Sequence, residues 1–439
     1  MPSRSRRQDR PPQRHSRLSP LFQVIDAIGI ASFAYYAVQQ AASALLPRPK
    51  IPVAQEGVGI TFLIPALNEA QVIRPTIDNL RATVPDARIV VIDDASDDGT
   101  DRLVREMAAR DAQVRLLRRE FPNARQNKGK AMNWAVSQLL ATPEFRALDL
   151  NNEVFIGIDA DGRVGDDFAP QVRGAFRDPQ VMAAQGWMRY RQDAVHLSGW
   201  LGALANLLLI HQDLENFIVG HDQRLRHRAG VASLTGNGQC MRASYVARQL
   251  GRGQLPWPDV LLEDFASALE VALEDPGNRI ATLSAQVGQQ GMLEPSPLVK
   301  QRVRWTQGTM ETLPYLPKLW RSGTHPAIKV DFTFMIIAPW MMTLMTVGGL
   351  LSPLRSARNV KGVSMPGWWG RTVTTLPLVY QLVWSALYAR ERRLPWRTVP
   401  YLMLTFPIYR AITLMSLPLA LKRHATGEKS WYKSVRHDE

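Results

Sequence analysis

One cysteine, Cys240, is all that the 439 residues contain, so no disulfide can close within the chain. A reducing, cytosolic setting is therefore expected for its active domain. RNA-recognition signatures and zinc-finger spacings are missing as well, and no nucleic-acid partner is expected. Acidic residues are in deficit: 39 Asp and Glu stand against 53 Lys and Arg, a formal net charge of +14. An anionic membrane surface or a phosphorylated substrate accounts for such an excess. No small-residue cleavage site follows the first apolar stretch, 21–46, which is too long and, with Asp26, Gln39 and Gln40, too polar for a signal peptide.

What the chain does have is divided unevenly. Arg4, Arg6, Arg7, Arg10, Arg14 and Arg17 crowd residues 1–20 among prolines, which predicts a basic disordered arm. Residues 330–352, VDFTFMIIAPWMMTLMTVGGLLS, are long enough to cross a bilayer. Residues 371–389 and 398–421 are weaker candidates, the last with Arg410 inside it, and 21–46 reads either as a span or as a helix lying in the interface. The expected organisation is an arm (1–20), a membrane-associated helix (21–46), a catalytic domain (55–325), transmembrane or interfacial helices (328–421) and a basic tail (422–439). A multi-pass cell-membrane protein with a cytoplasmic catalytic domain follows. An outward Arg-rich arm would oppose the positive-inside tendency, which favours a first helix lying on the inner surface.

Between Gly57 and Gly291 short apolar runs alternate with amphipathic stretches. GITFLIPA (59–66), RIVVIDD (88–94), VRLLRR (114–119) and EVFIGIDAD (153–161) read as buried strands; 70–82, 100–110 and 130–141 read as helices. The fold class is α/β with a mostly parallel sheet. In such sheets ligands bind beyond the carboxyl ends of the strands, and those ends are acidic here.

Asp93 and Asp94 close the second strand, and two carboxylates there need partners. The N–H and O–H donors of a nucleobase and ribose would supply them. Asp97, Asp98 and Gly99 read as turn chemistry. Asp159 and Asp161 are two apart, so on a regular strand both would face one side. That pairing suits Mg²⁺ or Mn²⁺ bridged to a diphosphate. Asn127-Lys128-Gly129-Lys130 opens a helix and offers cations, Lys130 foremost, near phosphate, or else is an ordinary basic loop. Glu263 and Asp264 open another helix, where acids also serve simply as caps. SLTGNGQCMR (233–242) brings Asn237 and Gln239 among glycines, apt for an acceptor or a diphosphate, with Cys240 a packed residue. Gln301, Arg304 and Trp305 stand in QRVRW (301–305), just before the most apolar part of the chain; snorkelling and aromatic anchoring at an interface is the bland alternative.

In order, PALNE (65–69), DDASDDGT (93–100), DAD (159–161), LED (262–264) and QRVRW (301–305) resemble the membrane-integrated family 2 glycosyltransferases, the branch with cellulose, chitin and hyaluronan synthases and some glycolipid synthases. Leu262 departs from the Thr that many members carry. The resemblance implies a GT-A fold and a nucleotide-sugar donor, with UDP-glucose leading. It places Pro65, Glu69, Asp93, Asp94, Lys130, Asp159 and Asp161 at the donor, with Asp161 preferred over Asp159 as metal ligand. Asp264 becomes the general base with Glu263 its neighbour, while Asn237, Gln239, Gln301, Arg304 and Trp305 meet the acceptor or diphosphate. It implies a single in-line displacement with inversion onto a membrane-associated acceptor, in which Asp264 takes the acceptor proton. A lipid or glycolipid acceptor is favoured because three or four imperfect apolar segments make a meagre polymer channel, although an oligomer or accessory subunit would enlarge it. A processive polysaccharide synthase is the first alternative, and a catalytically dead nucleotide-sugar sensor the second.

Overall fold

The computed structural model describes residues 19–47, 49–192, 197–357, 363 and 366–428. Of the expected arm and tail, 1–18 and 429–439 lie outside the described residues. Two compact units are formed, one by the described part of Met1–Val38 with Trp340–Leu378, the other by Gln39–Pro339 with Val379–Glu439.

The larger unit is built on an eight-stranded sheet of β1 (Gly59–Ala66), β2 (Arg88–Asp93), β3 (Val114–Arg118), β4 (Glu153–Gly157), β5 (Arg163–Val164), β6 (Val181–Tyr190), β7 (Gln239–Arg242) and β8 (Arg279–Gln289), in the order β3-β2-β1-β4-β7-β6-β8-β5. β3, β2, β1 and β4 run parallel, β7 is antiparallel to both its neighbours, and β6 and β8 are parallel. The first strands are apolar at nearly every position because both faces are covered. Phe62, Ile64, Ile89, Val91, Val154 and Ile156 enter one core cluster. Leu63, Val90, Ile92 and Phe155, on the alternate positions, enter the other. This register sets Ala66 beside Asp93 and Leu63 beside Gly157, so three carboxyl ends open at one edge. β7 starts at that same edge, with Gln239 opposite Gly157.

The strand expected over 153–161 stops at Gly157. Its antiparallel partner begins only at Gln239, because Gly236 and Gly238 turn away at φ of 89° and 77°. Without a ladder beyond that point the chain turns, and the Gly162 N–H donates to the Asp159 carbonyl. Asp159 and Asp161 therefore sit on a turn, and the expectation that strand pleating faces them to one side is corrected.

The long helix Gly199–Arg228 packs on β6 and receives the last helices of the chain. Trp384, Tyr388 and Leu402 join Trp187, Leu214 and Phe217 in one cluster. Tyr409 joins Leu207, Leu208, Met292 and Leu298 in another. In the smaller unit Phe22 and Ile25 pack with Leu344 and Leu351. Among the described residues three helical stretches are long and apolar enough to cross a membrane: Pro20–Leu45, Pro326–Leu350 and Thr398–Thr426. The helix Gly367–Glu391, over the expected 371–389 segment, is not one of them.

Candidate active site

At the end of β2, Asp93 is fully buried and Asp94 nearly so. Their partners come from the end of β3: Arg118 Nη1 lies 2.9 Å from Asp93 Oδ2, and Arg119 Nη1 lies 2.8 Å from Asp94 Oδ1. These carboxylates thus have arginine partners within the chain, besides any donors that a base or ribose would bring. Burial still raises both carboxyls above the ordinary range, outweighing the arginines beside them. PALNE is fastened to the following acidic loop. Asn68, at φ 54°, exchanges hydrogen bonds with the side chain and backbone of Asp97 at 2.8 and 2.9 Å. The Glu69 N–H donates to Thr100 Oγ1 at 2.8 Å, and Pro65 stands opposite Ile92 in the ladder.

Asp159 and Asp161 have different partners on their turn. Asp161 is fully buried and accepts the Gln290 N–H at 2.8 Å. Asp159 is partly exposed and takes Lys128 Nζ at 2.6 Å, while its backbone N–H donates to Asn237 Oδ1. Asn237 in turn donates to Gln289 Oε1, so it ties the DAD turn to the end of β8. Gln239, fully buried on β7, has neither side-chain polar atom hydrogen-bonded.

Of the two lysines expected near phosphate, Lys128 reaches the carboxylates. Asn127 caps the helix Lys128–Ala141 by accepting the Lys130 N–H, and residues two apart on a helix point to opposite sides. Lys130 turns outward to Asp259 at 3.2 Å. Burial alone would lower the Lys128 ammonium, but Asp159, Glu263 and Asp264 hold it above its ordinary value. The sequence offered two lysines; only helical phase chooses between them.

LED opens the helix Glu263–Glu274, and Asp264 Oδ1 accepts the Phe265 N–H at 2.7 Å. Burial first, and the Glu263 carboxylate beside it second, push the Asp264 carboxyl up to about 7, with Lys128 and Arg304 pulling the other way. Gly236, at φ 89°, closes over this group: a Cβ there would stand 2.9 Å from Asp264 Oδ2. QRVRW lies on the helix Pro295–Glu311, which two contacts join to LED. A Cβ on Gly308 would meet Leu262 Cβ at 2.7 Å, and Glu311 Oε2 accepts the Leu261 N–H at 2.9 Å. Gln301 Oε1 and Arg304 Nε are buried without a hydrogen bond. Trp305 is half-buried under Arg302, whose Cζ stands 4.3 Å from the ring centroid. Arg302 was assigned no role by the motif pattern, and Lys128 only a shared one with Lys130 as a cation near phosphate.

The donor set fits a divalent cation shared with a ligand. Among the described residues no three His, Cys, Asp or Glu side chains stand close enough to hold a metal by themselves. Two carboxylates on a turn, completed by diphosphate and water oxygens, are the hard-oxygen set that Mg²⁺ or Mn²⁺ takes.

Residues 61–231 match the glycosyl transferase family 2 model, and residues 154–421, more than half of the chain, match glycosyl transferase family group 2. The chain belongs to the family 2 glycosyltransferases, and its sheet is of the GT-A type. It is 27% identical over 303 residues to the poly-beta-1,6-N-acetyl-D-glucosamine synthase of Staphylococcus aureus (strain COL), covering 67% of this chain and 64% of that protein. It is 33% identical over 113 residues to the succinoglycan biosynthesis protein ExoA of Rhizobium meliloti (strain 1021), covering 25% of this chain and 30% of that protein. The chain thus spans less than two thirds of the length of either relative. Mannosyltransferase PcManGT from Pyrobaculum calidifontis, solved with GDP-Man and Mn²⁺, superposes with a TM-score of 0.58 at 19% identity, over 93% of this chain and all of that one. That likeness is one of fold.

Proposed function

We propose that the chain transfers a sugar, with inversion, from a UDP-sugar to a glycan-bearing or lipid acceptor held at a membrane. The observation that carries this reading is the Asp264 carboxyl. It is buried at the mouth of the sheet, held near neutral pH, and flanked by Lys128 and Arg304. A carboxylate tuned toward neutrality serves as a general base at physiological pH. Asp93 and Asp94 border the nucleoside, with Pro65 and Glu69 in the loop beside them. Asp159 and Asp161 would hold Mg²⁺ or Mn²⁺, which supplies charge neutralisation of the diphosphate when bound. Lys128 and Arg304 add fixed positive charge where the leaving UDP gathers negative charge. Asp264 takes the proton from the acceptor hydroxyl as its oxygen attacks C1; the C1–O bond to UDP breaks in the same step. Glu263 raises the basicity of Asp264. Gln239 and Gln301 offer amides to sugar hydroxyls, Asn237 steadies the DAD turn behind them, and Trp305 offers a ring face to the acceptor.

UDP-glucose is the donor to try first, with UDP-N-acetylglucosamine raised by the name of the staphylococcal relative. The names of both relatives favour growth of a polysaccharide, whereas three candidate spans favour an acceptor that needs no wide channel. The catalytic unit is placed on the cytoplasmic side, where nucleotide sugars and reduced Cys240 are at home. Membranes carrying the protein, incubated with radiolabelled UDP-glucose or UDP-N-acetylglucosamine, should release UDP and label either organic-phase lipid or insoluble glycan. EDTA should stop both. No UDP release from either donor would contradict the reading.

A further inference from the structure

Trp305 owes its setting to residues far from its motif. Arg302 Nη2 lies 2.6 Å from Glu215 Oε2 on the helix Gly199–Arg228, and 3.0 Å from Tyr409 Oη on the helix Thr398–Leu414. Tyr409 Oη donates to the same Glu215 oxygen at 2.8 Å. Three helices thus converge on one carboxylate oxygen. Tyr409 is fully buried, and its ring lies 5.0 Å from that of His211 at an interplanar angle of 15°. His211 Nε2 is 2.9 Å from Thr405 Oγ1, one turn earlier on the tyrosine's own helix. The surroundings are apolar: Leu207, Leu208, Met292 and Leu298.

We propose that Tyr409 and Glu215 are positioning residues for the acceptor platform. They hold the Arg302 guanidinium over one face of Trp305, and so fix the orientation in which the other face meets the acceptor sugar. An ion pair whose carboxylate side chain is 34% exposed is a poor stability device, because solvent screens much of its attraction. As an orienting device it is effective, since the planar guanidinium accepts few geometries once carboxylate and hydroxyl are both engaged. This reading accounts for the buried Tyr409 hydroxyl, about a hundred residues after the motif, pairing with Arg302 and Glu215. It rests on the assignment of Trp305 to the acceptor.

The test uses full-length protein in membranes and compares wild type, Tyr409→Phe and Glu215→Gln. UDP release, labelled product and UDP binding are measured on the same samples. Tyr409→Phe removes one oxygen and keeps the stacked ring. Product formed per UDP released should fall about tenfold, the factor that a hydrogen bond to a charged group carries, while UDP binding stays within twofold of wild type. Glu215→Gln keeps a hydrogen-bonding side chain in place and should lose less. A wild-type product-to-UDP ratio in both variants, with only thermal stability lowered, would overturn the proposal. Absence of UDP release by wild type itself would instead overturn the functional reading, and the proposal with it.

Discussion

Asp264 sits in a balance that each neighbour shifts in a known direction. With its carboxyl at about 7 in the free enzyme, kcat/KM should fall as pH drops below that value, approaching tenfold per unit, and level off above it. Lys128 favours the charged form, so Lys128→Gln should move this acid limb to higher pH; Glu263 disfavours it, so Glu263→Gln should move the limb lower. pH–rate profiles of the three proteins check both signs, and a limb that stays put in both variants would contradict the assignment. The same shift bears on stability. The folded carboxyl keeps its proton well above the unfolded value of 3.8, so the stabilisation is complete below that value and is lost as pH rises to about 7. The acidic residues themselves were legible in the sequence because they follow apolar strand runs or open a helix. Which lysine would join them was not, since Lys128 and Lys130 differ only in helical phase.

The element that completes the site is the helix Pro295–Glu311. Its approach to LED depends on Gly308, whose missing side chain lets Leu262 come close. Gly308→Ala should therefore act by overpacking, costing about 1–3 kcal/mol in stability, and should pull Arg304 away from Asp264. Turnover should fall further than the lowered melting temperature explains, which activity and thermal denaturation on one sample would reveal. Unchanged turnover would mean that the helix can slide without harm. Strands β1, β2 and β4 were legible because burial on both faces leaves an apolar run. The early end of β4 was not, because it is set by the glycine turn at 236–238 on a partner that is distant in sequence.

At the scale of the whole molecule, the segment 398–426 has two aspects. It is apolar and long enough to cross a membrane, yet Leu402, Tyr409, Leu417 and Ala420 are buried, and Gln307 of the QRVRW helix donates to the Glu428 carbonyl at 2.6 Å. Hydropathy made this stretch visible as a membrane candidate; its service to the catalytic unit lies in side-chain pairs about a hundred or more residues apart. A chain cut after Trp396 keeps all five motifs and should nonetheless lose UDP release, because the packing behind QRVRW goes with the missing helices. Retention of wild-type turnover in that truncation would show the motif region to be self-sufficient. The central claim, sugar transfer with Asp264 as base, is tested most directly by Asp264→Asn, assayed for UDP-sugar turnover and donor binding in the same membranes at pH 8. The account predicts turnover lower by about 10²–10⁴-fold with donor binding close to wild type. Near-normal turnover would assign the proton transfer to another group and leave Asp264 as a charge at the start of a helix.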